Sequence, residues 1–145
     1  MPALVKEGSY QQSAALPYLI QPDGLKIVLI TSRKRHRWII PKGAIEPHLT
    51  AWDSAAQEAW EEAGIEGVIT TEPLGIYRHQ KWEGSSMVQV FPLAVTRLHQ
   101  QWLEDQERQR RVVSVAKALK LIEMKALRRM VSQLEVWLNL SPCES

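Results

Sequence analysis

Gln57-Glu58-Ala59-Trp60-Glu61-Glu62-Ala63-Gly64-Ile65 is the stretch on which the reading of this 145-residue chain turns. It ends a helix that the pattern predicts over residues 50–63: Thr50 stands where a cap belongs, Asp53 follows as in a capping box, and Gly64 stops it. Trp52, Ala55, Ala56, Ala59 and Ala63 recur at three- and four-residue steps, so one face is apolar. Most of that face is alanine, which lets the helix pack close to whatever lies beneath it. Beside it, Glu58, Glu61 and Glu62 fall within about one 100° sector, because positions three and four apart are neighbours on a helix. Like charges so placed weaken a helix by about 0.2–0.5 kcal/mol per pair, so the arrangement makes more sense if a cation sits among them. Hard oxygen ligands in a cluster suit Mg²⁺ or Mn²⁺. In isolation such a segment is more often a solvated acidic face, and the residues around it decide between the two.

Upstream, Ala14 to Ile20 and Leu25 to Thr31 are apolar runs separated by Gln21-Pro22-Asp23-Gly24, and they read as a β-hairpin. Pro17 predicts an edge or irregular first strand, since proline donates no ladder hydrogen bond. The basic stretch Arg33-Lys34-Arg35-His36-Arg37 leads into a short strand, Trp38-Ile39-Ile40, ended by Pro41-Lys42-Gly43, and a loop then runs to Thr50. Downstream, Val68 to Tyr77 and Ser86 to Thr96 read as two strands joined by a polar turn around Trp82-Glu83-Gly84. Residues 99–111 are polar and resist assignment. Ser114 to Ile122 and Met124 to Leu140 read as helical, the latter with Met124, Leu127, Val131, Leu134 and Leu138 on one stripe before Pro142. Residues 1–12 read as a loose tail and residues 13–145 as one domain closed by a helix over 124–140. Strands before and after a central helix, then C-terminal helices, predict an α/β fold with a mixed sheet between helical layers.

Pro41-Lys42-Gly43 follows a strand and precedes the carboxylate helix, and the spacing from Gly43 to Ile65 resembles the Nudix box. That box reads Gly, five residues, Glu, seven residues, Arg-Glu, an aliphatic, any residue, Glu-Glu, any residue, Gly, an aliphatic. Gly43, Glu58, Glu61, Glu62, Gly64 and Ile65 match in register, with Ala59 a small occupant of the first aliphatic position. Ser13 to Tyr18, the basic stretch before Trp38, Glu46-Pro47, Gly75-Ile76-Tyr77 and Arg110 to Ser114 are similar to the diphosphoinositol polyphosphate phosphohydrolase branch of that family and its bacterial relatives. The resemblance implies an α/β/α sandwich and Mg²⁺-dependent cleavage of a diphosphate linked to another moiety. It also implies that Glu58, Glu61 and Glu62 hold the metal, with Glu58 the candidate for activating water and the main chain near Lys42 and Gly43 a further ligand. Glu104 and Glu107 are candidates for a loop glutamate that completes the site in relatives.

Two positions depart from the box. Leu49 stands where the first Glu belongs, and Gln57 where the Arg belongs. The family's Arg orients the adjacent carboxylates through charge-assisted hydrogen bonds, and Gln brings neither the charge nor the bidentate fork. Losing a supporting partner of this kind typically costs about 10–100-fold in metal affinity or activity. The alternatives to a full enzyme are therefore a weak or inactive module that binds a nucleotide or polyphosphate, or an RNA 5′ pyrophosphohydrolase.

Charge supplies the second constellation. Eighteen Lys and Arg against sixteen Asp and Glu leave a formal charge of +2, a small total that speaks against a dedicated nucleic-acid binder. Resolved along the chain, Arg33, Lys34 and Arg37 precede the box, Lys42 and Gly43 lie in it, and Arg78 ends a later strand, so they are the candidates for binding a polyphosphorylated small molecule. Trp82 offers a ring for stacking on a nucleobase, although packing is the commoner use of tryptophan. The four histidines show no metal-ligand spacing, which argues against zinc. One cysteine, Cys143, and no apolar run of membrane-spanning or signal-peptide character point to a reducing compartment, the cytoplasm, and to no membrane partner.

Overall fold

Alternation along three strands assembles two cores on opposite faces of one sheet. The structure, a computed structural model, describes residues 10–81 and 84–138. The strands are β1 (Tyr10–Gln21), β2 (Gly24–Thr31), β3 (Trp38–Ile39), β4 (Lys42–Ala44), β5 (Ile65–Ile69), β6 (Gly75–Lys81), β7 (Gly84–Leu98) and β8 (Arg110–Ser114), and the helices are α1 (Ala51–Ala63), α2 (Val115–Leu121) and α3 (Lys125–Trp137). Ala14, Leu16, Leu25, Ile27, Leu29, Val88 and Val90 point to one face, where Ala118 of α2 and Leu127, Met130, Val131 and Leu134 of α3 meet them. Ala15, Val28, Ile30, Phe91 and Leu93 point to the other, against Ala55, Ala59 and Ala63 of α1. Side chains one residue apart in a strand point to opposite faces, so a single sheet feeds both layers. The result is the expected α/β/α sandwich with a mixed sheet: β1 runs parallel to β7 and antiparallel to β2 and β4.

The first strand departs from the expectation set by Pro17. It is central, lying between β7 on one side and β2 with β4 on the other. Proline is tolerated because the β4 ladder ends at Ala14 and the β2 ladder begins at Tyr18. The Ala15 N–H reaches the Pro41 carbonyl at 3.0 Å, and two residues on Pro17 faces the same flank in the gap between ladders. Gln11 and Gln12, expected in a loose tail, are strand residues of β1; residues 1–9 lie outside the described residues.

Two further expectations are corrected. The single strand predicted over Val68 to Tyr77 is two, β5 and β6, which occupy successive halves of one edge of β7. Between them the chain turns through Pro73, held by the Thr70 N–H on the Pro92 carbonyl (3.0 Å) and the Leu74 N–H on the Val90 carbonyl (2.7 Å). Lys42 and Gly43, expected to end a strand, form β4 together with Ala44 of the expected loop, and the unassigned polar segment ends in β8, which pairs with β2. The helix predicted over 124–140 is described as Lys125–Trp137, with residues 139 and 140 outside the described residues.

Candidate functional site

Helix α1 begins and ends as its sequence dictates, and its last two turns carry the chemistry. The Thr50 hydroxyl accepts from the Asp53 N–H at 3.1 Å, and Gly64 closes the helix in the left-handed region at φ 67°. The buried alanines press α1 onto the sheet, which turns Glu58 and Glu62 inward toward β4. Lys42 N–H donates to Glu62 Oε1 at 3.3 Å. Gly43 lies so close to Glu58 that a Cβ there would collide with the carboxylate. Glu58 and Glu62 share a hydrogen bond in this enclosure. Burial, followed by that hydrogen bond, pushes the Glu62 carboxyl up to about 8, with Arg108 pulling the other way. Burial also raises Glu58, helped by the charges of Glu61, Glu104 and Glu46 and opposed by the bond to Glu62. Glu61, expected in the same cluster, is half-buried, lies close enough for its charge to raise Glu58, and accepts from Gln57 Nε2 at 3.0 Å.

The polar segment that resisted assignment is tied to the end of this helix. A helix leaves its last carbonyls without intrahelical partners. Here Glu104 N–H takes the Glu61 carbonyl (3.1 Å) and His99 N–H takes that of Gly64 (2.9 Å). Trp102 Nε1 takes that of Glu62 (2.9 Å), and Arg110 Nη1 that of Ala63 (2.7 Å). The Arg110 guanidinium lies over the Trp102 ring at 4.3 Å, packing the segment against Gly64. Gly64→Ala is therefore expected to lower the denaturation midpoint on two counts. Left-handed backbone costs an L-residue about 1–2 kcal/mol, and a Cβ would stand 2.9 Å from Trp102 Cβ. Urea unfolding measures the sum.

The same segment brings Glu104 and Arg108 to the carboxylates. Arg108 Nε bonds Glu104 Oε1 at 2.8 Å, Nη1 donates to the Thr31 carbonyl at 3.1 Å, and Nη2 lies 3.7 Å from Glu62 Oε2. Glu107, the other loop candidate, points away and pairs with Arg33 at 3.0 Å. Arg108 is the residue sequence reasoning missed, lying as it does in the polar segment 99–111 that resists assignment. Its spacing of four from Glu104 is the signal that would have found it.

The basic candidates fall into two adjoining cavities. Arg33, Lys34, Arg35, Lys42 and Arg108 line one of about 740 Å³. Arg35, Arg37, Lys42, Arg78 and His79 line another of about 610 Å³, which has an apolar floor of Ile39, Ile40, Met124 and Leu127. Lys42 and Arg35 are common to both. Arg37 is also paired with Glu123 at 3.4 Å, and Arg78 donates to Ser85 Oγ at 3.3 Å. Trp82 lies outside the described residues.

Among the described residues no three His, Cys, Asp or Glu side chains converge to hold an ion by themselves. Mg²⁺ commonly takes only one or two carboxylates, with water and substrate phosphates completing its octahedron. Two adjacent carboxylates, the half-buried Glu58 and the buried Glu62, with Glu104 close enough to act electrostatically on both and Glu61 on Glu58, meet that requirement for hard oxygen donors.

A NUDIX domain model matches residues 10–134. Nudix hydrolase 12, mitochondrial, of Arabidopsis thaliana is 30% identical over 138 residues, covering 90% of this chain and 66% of that protein. Diphosphoinositol polyphosphate phosphohydrolase 2 of Rattus norvegicus is 28% identical over 120 residues, covering 81% of this chain and 65% of that protein. The chain thus spans just under two thirds of the length of these curated relatives. Among solved structures, a C. elegans Ap4A hydrolase superposes with a TM-score of 0.73 at 15% identity, covering 90% of this chain and 98% of that one, a likeness of fold. Among the described residues no helix is long and apolar enough to cross a membrane. With the matched span running from β1 into α3 and the carboxylate helix inside it, this chain belongs to the Nudix hydrolase family.

Proposed function

We propose that the chain is a Mg²⁺- or Mn²⁺-dependent hydrolase that cleaves a diphosphate linkage in a highly phosphorylated small molecule, such as a diphosphoinositol polyphosphate or a dinucleoside polyphosphate. The observation that carries this reading is a juxtaposition. Glu62, buried beside Glu58, abuts Lys42 and Arg108, which open onto a cavity walled by Arg33, Lys34 and Arg35. Acidic side chains at one end and cations at the other suit a metal-diphosphate complex. The names of the relatives point to the same chemistry, phosphoanhydride hydrolysis.

In this reading Glu58, Glu61 and Glu62 hold the metal, with Glu104 and the main chain at Lys42 and Gly43 beside them. A bound divalent cation supplies charge neutralisation of the diphosphate and a lowered pKa for water. Glu58 accepts the proton of the attacking water. Lys42 N–H keeps Glu62 oriented, and Arg33, Lys34, Arg37, Lys42 and Arg78 bind the substrate's phosphates. The apolar floor beside Met124 and Leu127 accommodates the group attached to the diphosphate. The single cysteine favours a reducing compartment, and we assign the cytoplasm on that ground, although one relative's name gives that protein a mitochondrial address.

One observation favours a weaker enzyme or a ligand-binding module: Gln57 gives Glu61 a single neutral hydrogen bond. The test is an anion-exchange product screen over both substrate classes, with and without Mg²⁺, on the wild type and Glu61→Gln. Metal-dependent cleavage in the wild type that falls in the variant supports the hydrolase. Tight binding with no turnover of any diphosphate supports the module and sinks the enzyme.

A further inference from the structure

Burying a guanidinium is costly unless its donors are satisfied, and Arg108 is buried with three different partners. Its side chain is 7% exposed, against 59% for Arg33 at the mouth of the same cavity. Nε is given to Glu104, Nη1 to the Thr31 carbonyl, and Nη2 faces Glu62. The Thr31 bond is the informative one, because it adds nothing to either carboxylate but fixes the plane of the fork from the sheet side. Gln109 N–H on Thr31 Oγ1 at 2.9 Å and Thr31 N–H on the Gln109 carbonyl at 3.1 Å pin the next residue to the same strand end. The guanidinium is thus held by β2 and offers its remaining edges to two glutamates from different parts of the chain.

We infer that Arg108 is the positioning residue of the carboxylate site, holding Glu62 of α1 and Glu104 of the loop in one arrangement. The inference rests on the metal-dependent reading above. Gln57, at the place where the family resemblance implies an orienting Arg, reaches only Glu61. Orientation of the carboxylates is therefore divided between a weak donor on the helix and a strong one delivered from the 99–109 loop. Only an arginine can serve three partners in one plane; a lysine keeps the charge and loses the geometry.

Calorimetric Mn²⁺ titration of the full chain tests this with Arg108→Lys and Arg110→Lys. Arg110 anchors the same loop to α1 but touches no carboxylate in this site. Arg108→Lys is expected to weaken Mn²⁺ binding about 10–100-fold. Arg110→Lys is expected to lower the thermal midpoint while leaving the affinity within a factor of about two of wild type, because only the loop's anchoring changes. Equal affinity in wild type and Arg108→Lys overturns the inference alone, as does an equal loss in Arg110→Lys, which would assign the effect to loop integrity. Absence of Mn²⁺ binding in the wild type overturns the metal-dependent reading and this inference with it. A second measurement needs no variant: in ¹⁵N-labelled wild type the Arg108 Nε–H resonance is expected to be protected from exchange and to move on Mg²⁺ addition. A resonance that ignores the metal counts against the assignment.

Discussion

Glu62→Gln is expected to cut metal-dependent diphosphate hydrolysis by about 10²–10³-fold, the range typical when one preorganised electrostatic group is removed. The same change should make the metal-free protein more stable at alkaline pH. The Glu62 carboxyl is raised from an ordinary value of 4.5 to about 8, so the folded state holds a proton that the unfolded chain releases between those values. Stability of the metal-free wild type therefore falls as pH rises from 4.5 through about 8, because folding must then bury an ionised group. Glutamine has the shape of the protonated acid and no charge to bury. Thermal midpoints of the two metal-free proteins should coincide below pH 4.5 and diverge in favour of the variant as the pH rises, with the gap complete above about pH 8. Adding Mg²⁺ should stabilise the wild type at pH 8 and leave Glu62→Gln nearly unmoved, since metal binding requires the deprotonated ligand. Parallel pH profiles for the two proteins would show that Glu62 is not the group under strain.

Gly43→Ala carries the second large effect, by a different route. Gly43 is not among the residues with left-handed backbone, so alanine is conformationally acceptable there. What it lacks is room: the added methyl would meet both oxygens and the carbon of the Glu58 carboxylate. The carboxylate, at the end of a flexible side chain, has to move, and β4 does not. Turnover is expected to drop by about 100-fold, the upper end of what displacing a ligand's support costs, while the protein stays folded. Circular dichroism alongside steady-state kinetics checks both halves. Unaltered kcat/KM would mean that the Glu58 position seen in this structure is not the one used in turnover.

What could be read from sequence follows the range of the forces involved. The carboxylate helix was legible because its signals are local: a cap at Thr50, a left-handed stop at Gly64 and an apolar stripe between them. The hairpin of β1 and β2 was legible for the same reason. The central position of β1 was not, because its parallel partner β7 lies far along the chain and Pro17 argues locally for an edge. Nor was the division into β5 and β6, which one long strand imposes by pairing with both. The loop at 99–109 was the least legible. Its order comes from single hydrogen bonds to helix carbonyls, which leave no periodicity in its own residues. For the site, the acidic half stood in one short motif, whereas the roles of Glu104 and Arg108 depend on where that loop is tied.

Those ties have a consequence for how this surface can change. Loops between strands usually accept insertions freely, because few of their backbone groups are committed. This one commits His99, Trp102 and Glu104 in turn to the Gly64, Glu62 and Glu61 carbonyls, then hands over Arg108 at the Thr31 end, before Arg110 of β8 takes the Ala63 carbonyl. One extra residue after Trp102 would shift Glu104 off the Glu61 carbonyl and carry the guanidinium away from Glu62. The length of an outwardly replaceable segment is thereby set by the helix it closes, and a graft of the carboxylate helix into another scaffold would need the loop transplanted with it.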